Sequence, residues 1–155
     1  YVFDILSFWT YERRFMSRYY LLQSLLVIRS ANRLLSNIGL LSQSLSYIDV
    51  HTYYFYMLGS MGLSSSIGLG LSIAQEKQVI SIDGDGSVLM NMNTLSTIGN
   101  RAPVNYTLLI IDNGSLGSTV DQPKITTENT SITAEARGEG GKKRIEDHGE
   151  ETGDK

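Results

Sequence analysis

Two apolar, β-branched runs, Val79–Ile82 and Thr107–Ile111, each end in acidic and amide residues, the pattern of buried strands closed by turns. Between them Val88, Leu89, Met92, Leu95 and Ile98 recur at helical spacing up to Gly99, which predicts a helix over Ser87–Gly99 with a glycine stop. A crossover helix makes the two strands parallel neighbours, so their carboxyl ends lie side by side. Asp83-Gly84-Asp85-Gly86-Ser87 then faces Asp112-Asn113-Gly114-Ser115 across one edge of the sheet.

The rest of the chain follows the same alternation. Tyr20, Leu21, Leu25 and Ile28 predict a helix over Ser17–Arg29, Leu34–Ile38 a short strand, Tyr53–Leu58 a β-type run and Leu63–Gln75 a further helix. That last helix and its approach carry Gly62, Ser65, Ser66, Gly68, Gly70 and Ser72. Because glycine costs up to about 1 kcal/mol at a helical position, such density predicts a close backbone contact, and we expect a partner to dock on the Gly62–Ser72 face. Beyond Gln122 apolar residues thin out and glycines and charges take over. Ser131–Arg137 is expected to be at most a marginal helix and the remainder disordered, since it has too little apolar surface to offset its ordering entropy.

The predicted edge has a definite chemistry. Mg²⁺ prefers hard oxygens, with one or two protein ligands and with phosphate and water completing the shell. Asp85 and the Asn113 amide oxygen suit that role, Gly84 and Gly86 let backbone approach an anion, and the free amides of Gly86 and Ser87 can receive a phosphate. Gly39 and Ser42, after the Leu34–Ile38 run, form either a second amide cradle or an ordinary strand-to-helix turn. Rival motifs fail on specific residues. A calcium-binding loop needs glycine at Val88 and glutamate at Thr94; a dinucleotide fingerprint needs its third glycine at Leu89; no phosphate-loop GxxxxGK[ST] is present.

Composition narrows the picture further. The 155 residues, 41% of them apolar, suit one domain with a sizeable core. A net charge of −3 argues against nucleic acid as the main partner. With no cysteine there is no disulfide framework or thiolate site, which fits a cytoplasmic protein. Tyr1–Arg14 is aromatic-rich, but its charges interrupt it well short of the roughly eighteen apolar residues of a membrane span. His51 and His148 read as surface histidines, and the sequons at Asn105, Asn113 and Asn129 as chance.

Gly84-Asp85-Gly86, followed after a spacer by Asp112-Asn113, resembles the thiamine diphosphate signature, with Asp112 in place of the first of two asparagines. Phe55–Ala74 (FYMLGSMGLSSSIGLGLSIA), Ser36–Leu45 and Ile110–Thr119 resemble the sulfopyruvate decarboxylase β subunits and the related phosphonopyruvate decarboxylases. The likeness covers Met16–Pro123. It leaves 1–15 as a leader or linker of uncertain order, 16–123 as the thiamine diphosphate-binding domain and 124–155 as a largely disordered tail. The resemblance implies an α/β fold with a mainly parallel sheet flanked by helices, truncated at its C-terminus, and the cofactors thiamine diphosphate and Mg²⁺. It implies Asp85, Asn113 and the Ser115 carbonyl as metal ligands, and cofactor contacts from Gly39, Ser42, Gly59, Ser60, Met61, Gly84, Gly86, Ser87, Leu116 and Gly117. Met61 would be the apolar wedge under the cofactor, flanked by the Gly59 carbonyl and the Met61 amide on its aminopyrimidine. The implied reaction is decarboxylation of a 2-oxo acid, sulfopyruvate or phosphonopyruvate, the former in the coenzyme M pathway. No catalytic residue is expected in this chain: the glutamate that activates the cofactor would come from a pyrimidine-binding α subunit, in a hetero-oligomer.

Overall fold

Val79–Gly84 (β4) and Tyr106–Asp112 (β5) lie side by side and parallel, from Val79 opposite Tyr106 to Gly84 opposite Ile111. The computed structural model describes residues 2–7, 22–23, 33–112, 115–116, 122–123, 132–138 and 142–144. Within them Val2–Ser7 (β1), Arg33–Ser36 (β2), Tyr54–Tyr56 (β3) and Lys142–Arg144 (β8) join the same sheet in the order β3-β2-β4-β5-β1-β8, with every pairing parallel. Ser115–Leu116 (β6) and Gln122–Pro123 (β7) make a separate antiparallel pair.

Helices cover both faces, as an all-parallel sheet requires. Leu40–Ile48 (α1) connects β2 to β3; Ser64–Ala74 (α2) connects β3 to β4; Asp85–Met90 (α3) and Asn93–Arg101 (α4) connect β4 to β5; Ile132–Gly138 (α5) precedes β8. Period-two alternation divides the core. Leu34, Ile82, Leu109 and Ile111 pack with Leu22 and α1's Leu45 on one face. Leu35, Val79, Leu108 and Ile110 pack on the other with Leu69, Val88, Leu95, Ile98, Ile132 and Ala136, from α2 to α5.

Three sequence expectations change here. The helix predicted over Ser87–Gly99 starts at Asp85 and is broken after Met90. The Asn91 side chain donates to the Gly62 carbonyl at 2.8 Å and the Ser66 hydroxyl at 2.9 Å, and this tie across to α2 replaces helical continuity. Most of the small residues of α2 face the chain's own sheet: Ser64, Ser65, Gly68 and Ser72 are buried with Leu69, Gly70 is exposed, and Tyr106 donates its hydroxyl to the Ser65 carbonyl at 2.9 Å. Val2–Ser7 is a strand along β5, Ile132–Gly138 is a helix with Ile132 and Ala136 in the core, and Lys142–Arg144 pairs with β1. The sequence left Val2–Ser7 in a segment of uncertain order and Lys142–Arg144 in a disordered tail, and offered at most a marginal helix at Ser131–Arg137, where a helix is found. The predicted helix over Ser17–Arg29 lies outside the described residues except at Leu22 and Gln23, of which Leu22 is buried.

At the far end of α2 the Asn105 amide donates to three carbonyls, of Ser72 at 2.9 Å, Gln75 at 2.7 Å and Lys77 at 3.2 Å. It ties the helix terminus and the turn into β4 to the start of β5.

Candidate functional site

The chain leaves β2 outward to β3, then crosses back over β2 to β4 and continues to β5. Strand order therefore reverses between β2 and β4, and in open α/β sheets ligands bind beyond the strand carboxyl ends at such a reversal. Asn37 and Asp83 stand there together, because the register sets Ser36 opposite Ile82. Asn37 donates its amide to Asp83 Oδ1 at 2.5 Å and also bonds Ser87 Oγ. Ser64 donates to Asp83 Oδ2 at 2.5 Å and Ser87 to Oδ1. Asp83 is fully buried, and burial pushes its carboxyl up to about 6 against the opposing bonds from Ser64, Ser87 and the Ser65 backbone N–H.

One step beyond, Asp85 opens α3 and is 3% exposed. A Cβ on Gly84 would meet nothing within 4 Å, and the same holds at Gly39 and Gly59, which follow the ends of β2 and β3. Glycines thus face open space at the carboxyl ends of three neighbouring strands. β6 packs beside α3, bringing the Ser115–Leu116 backbone to the same edge. Since α3 has only six residues, its offer to an anion is the unbonded amides of its first turn and not a long dipole.

Gly59, Ser60 and Met61 form the turn after β3, in which Ser60 takes a left-handed φ of 58° and Gly62 a φ of 93°. A Cβ on Gly62 would lie 3.0 Å from the Ser87 carbonyl oxygen and 3.1 Å from Asn91 Cβ, so only glycine lets this turn close on α3. Gly86 and Ser87 are buried in α3. Ser42 differs from expectation: its hydroxyl donates inward, to the carbonyls of Asn37 at 2.6 Å and Ser36 at 3.2 Å, and so supports the turn at Gly39. Asn113 and Gly117 lie outside the described residues, as does His148. His51 precedes β3, at the opposite end of that strand from Gly59, its ring tilted against those of Tyr53 and Tyr54.

Sequence reasoning gave no individual role to Asn37, Ser64, Asp83 or Asn91. The available signal was Asp83 itself, an acid that closes a buried apolar run and so must find donors.

A doubly wound parallel sheet with this edge belongs to a defined class: the chain is a member of the thiamine pyrophosphate enzymes, matching their C-terminal TPP-binding domain over residues 38–151. Among characterised relatives it is similar to sulfopyruvate decarboxylase subunit beta of Methanocaldococcus jannaschii, 54% identical over 105 residues, 68% of this chain and 56% of that one. The Methanococcus maripaludis subunit beta is 47% identical over 112 residues, 72% of this chain and 60% of the relative. Phosphonopyruvate decarboxylase of Streptomyces viridochromogenes is 38% identical over 99 residues, 58% of this chain and 25% of the relative. The chain thus spans less than two thirds of the length of these relatives.

The residues present fit a metal-held diphosphate. Among the described residues no three His, Cys, Asp or Glu side chains gather, so they offer no all-carboxylate cage. The buried Asp85 carboxylate, beside glycine-lined space, is instead suited to a hard cation whose remaining ligands come largely from phosphate. Among the described residues no helix is long and apolar enough to cross a membrane.

Proposed function

We propose that this chain is the diphosphate-binding half of a thiamine diphosphate- and Mg²⁺-dependent decarboxylase that converts sulfopyruvate to sulfoacetaldehyde. A partner α subunit would supply the pyrimidine-binding half and its glutamate. The observation that carries this reading is the buried Asp85 carboxylate beside Gly84's open space at the strand-order reversal, in a chain whose relatives bear the name sulfopyruvate decarboxylase subunit beta.

In this reading Asp85, Asn113 and the Ser115 carbonyl hold the metal, the amides of Gly86 and Ser87 and the turn at Gly39 receive the diphosphate, and Leu116 and Gly117 close over it. The Gly59–Met61 turn positions the other end, Met61 as an apolar support and the Gly59 carbonyl and Met61 amide as hydrogen-bonding groups. When bound, the cofactor supplies an electron sink for the pair released as CO₂ departs. The chain's own part is to bind, orient and keep water from that centre.

Phosphonopyruvate is the second candidate substrate, favoured by the similarity to phosphonopyruvate decarboxylases. The rival of another class is a cofactor-binding module without turnover. Mixing the chain with a candidate α subunit and measuring CO₂ from each acid decides among them: release from sulfopyruvate supports the proposal, release from phosphonopyruvate alone favours the second substrate, and binding without release favours the module.

A further inference from the structure

We propose that Asp83 is a positioning residue whose carboxylate fastens together the three turns of the cofactor cradle, those at Asn37–Gly39, Gly59–Ser64 and Asp85–Ser87. The inference rests on the thiamine diphosphate reading above and concerns a residue that makes no contact with the cofactor in that reading.

Each donor to Asp83 belongs to a different turn. Asn37 stands two residues before Gly39, Ser64 three after Met61, and Ser87 two after Asp85. One carboxylate thus bonds one side chain from every segment that is to hold the ligand. Those donors are neutral hydroxyls and an amide. Neutral donors can be satisfied by a neutral acceptor without desolvating a charge, so a buried carboxylate here is a costly way of merely holding the fold. What a carboxylate adds is that both its oxygens only accept. The hydrogens of Ser64 Oγ, Ser87 Oγ and Asn37 Nδ2 turn inward, and the three backbones are drawn to one point with their amides left for an anion. Asparagine of the same shape carries two hydrogens of its own against these donors, so at least one bond must break and one turn must move.

The test separates geometry from stability. Thiamine diphosphate with Mg²⁺ is titrated by calorimetry into the full chain, alone and with its co-purified partner subunit, and the cofactor-free chain is melted in parallel. The variants are Asp83→Asn, Ser64→Ala and, as a remote structural control, Asn105→Ala. The expected result is about tenfold or greater loss of affinity in Asp83→Asn, with a melting midpoint unchanged or raised, and a smaller loss in Ser64→Ala. Asn105→Ala should melt lower and bind as the unaltered chain does. Unaltered affinity in Asp83→Asn overturns the inference, as does an affinity loss that only tracks a fall in melting midpoint. Should Asp83→Asn not fold, Ser64→Ala decides: weaker binding at an unchanged midpoint supports the role, and full affinity overturns it. Absence of binding by the unaltered chain in both settings is a different result, and it overturns the cofactor reading itself.

Discussion

Gly68 of α2 sits so close to Ser81 of β4 that a Cβ at Gly68 would come within 1.9 Å of the Ser81 hydroxyl oxygen and 3.0 Å of Tyr106 Cε2. The hydroxyl cannot swing away freely, since it donates to the Ser64 carbonyl at 3.1 Å. Gly68→Ala should therefore destabilise the chain by about 1–3 kcal/mol, the usual effect of overpacking. Chemical denaturation checks this, and Ser81→Ala in the same chain should restore part of the loss as a non-additive pair.

Asp83 gives the stability a pH dependence of defined sign. Burial pushes its carboxyl from the ordinary 3.8 up to about 6 in the folded chain. Between these values the folded chain keeps a proton that the unfolded chain has released, so stability falls as pH rises through the window. The contribution is complete below the unfolded value and lost above the folded one, and it amounts to about 3 kcal/mol. Asp83→Asn should remove that slope. The stability difference between variant and unaltered chain, followed by denaturation from about pH 4 to about pH 7, should move in the variant's favour as pH rises.

If Asp85 holds Mg²⁺, Asp85→Ala should abolish Mg²⁺-dependent thiamine diphosphate binding and leave the fold intact. Calorimetric titration of both forms is the check, and equal affinity would remove Asp85 from the site. Chelation of Mg²⁺ in the unaltered chain should have the same effect as the substitution.

Asn91→Ala should lower stability by about 1–3 kcal/mol, because it takes the side-chain donor from the Gly62 carbonyl. Circular dichroism should show helix content preserved or slightly increased, since nothing then draws the chain out of helix between α3 and α4. A loss of helix would mean that Asn91 supports α3 in another way.

Much of the central sheet was legible because its information is local. Val79–Ile82, Thr107–Ile111 and the apolar periodicity between them specify strand, crossover and strand within a short stretch, and the Gly84-Asp85-Gly86 turn follows from them. What escaped depends on residues far apart. The break after Met90 needs the carbonyl of Gly62, 29 residues from Asn91. The Asp83 cluster needs Asn37, 46 residues away, and Ser64, 19 away. β1 and β8 are strands through backbone pairing with distant segments. For α2 the small residues signalled a close contact correctly but not its occupant. Only the fold shows that β4 and β5 fill that space, so a bulky residue at Ser65 would disrupt the core and not an assembly surface.

The triple hydrogen bond of Asn105 bears on how this protein can be produced. Asn105-Tyr106-Thr107 has the form of an acceptor for an N-linked sugar, and the nitrogen that would carry the glycan is the one donating to the carbonyls of Ser72, Gln75 and Lys77. A sugar there would replace one of the two amide hydrogens and force the side chain out from under the end of α2. In a secretory expression host, glycan occupancy at Asn105 and the folded arrangement of that helix end are therefore mutually exclusive. Folded material from such a host should be unmodified at this asparagine.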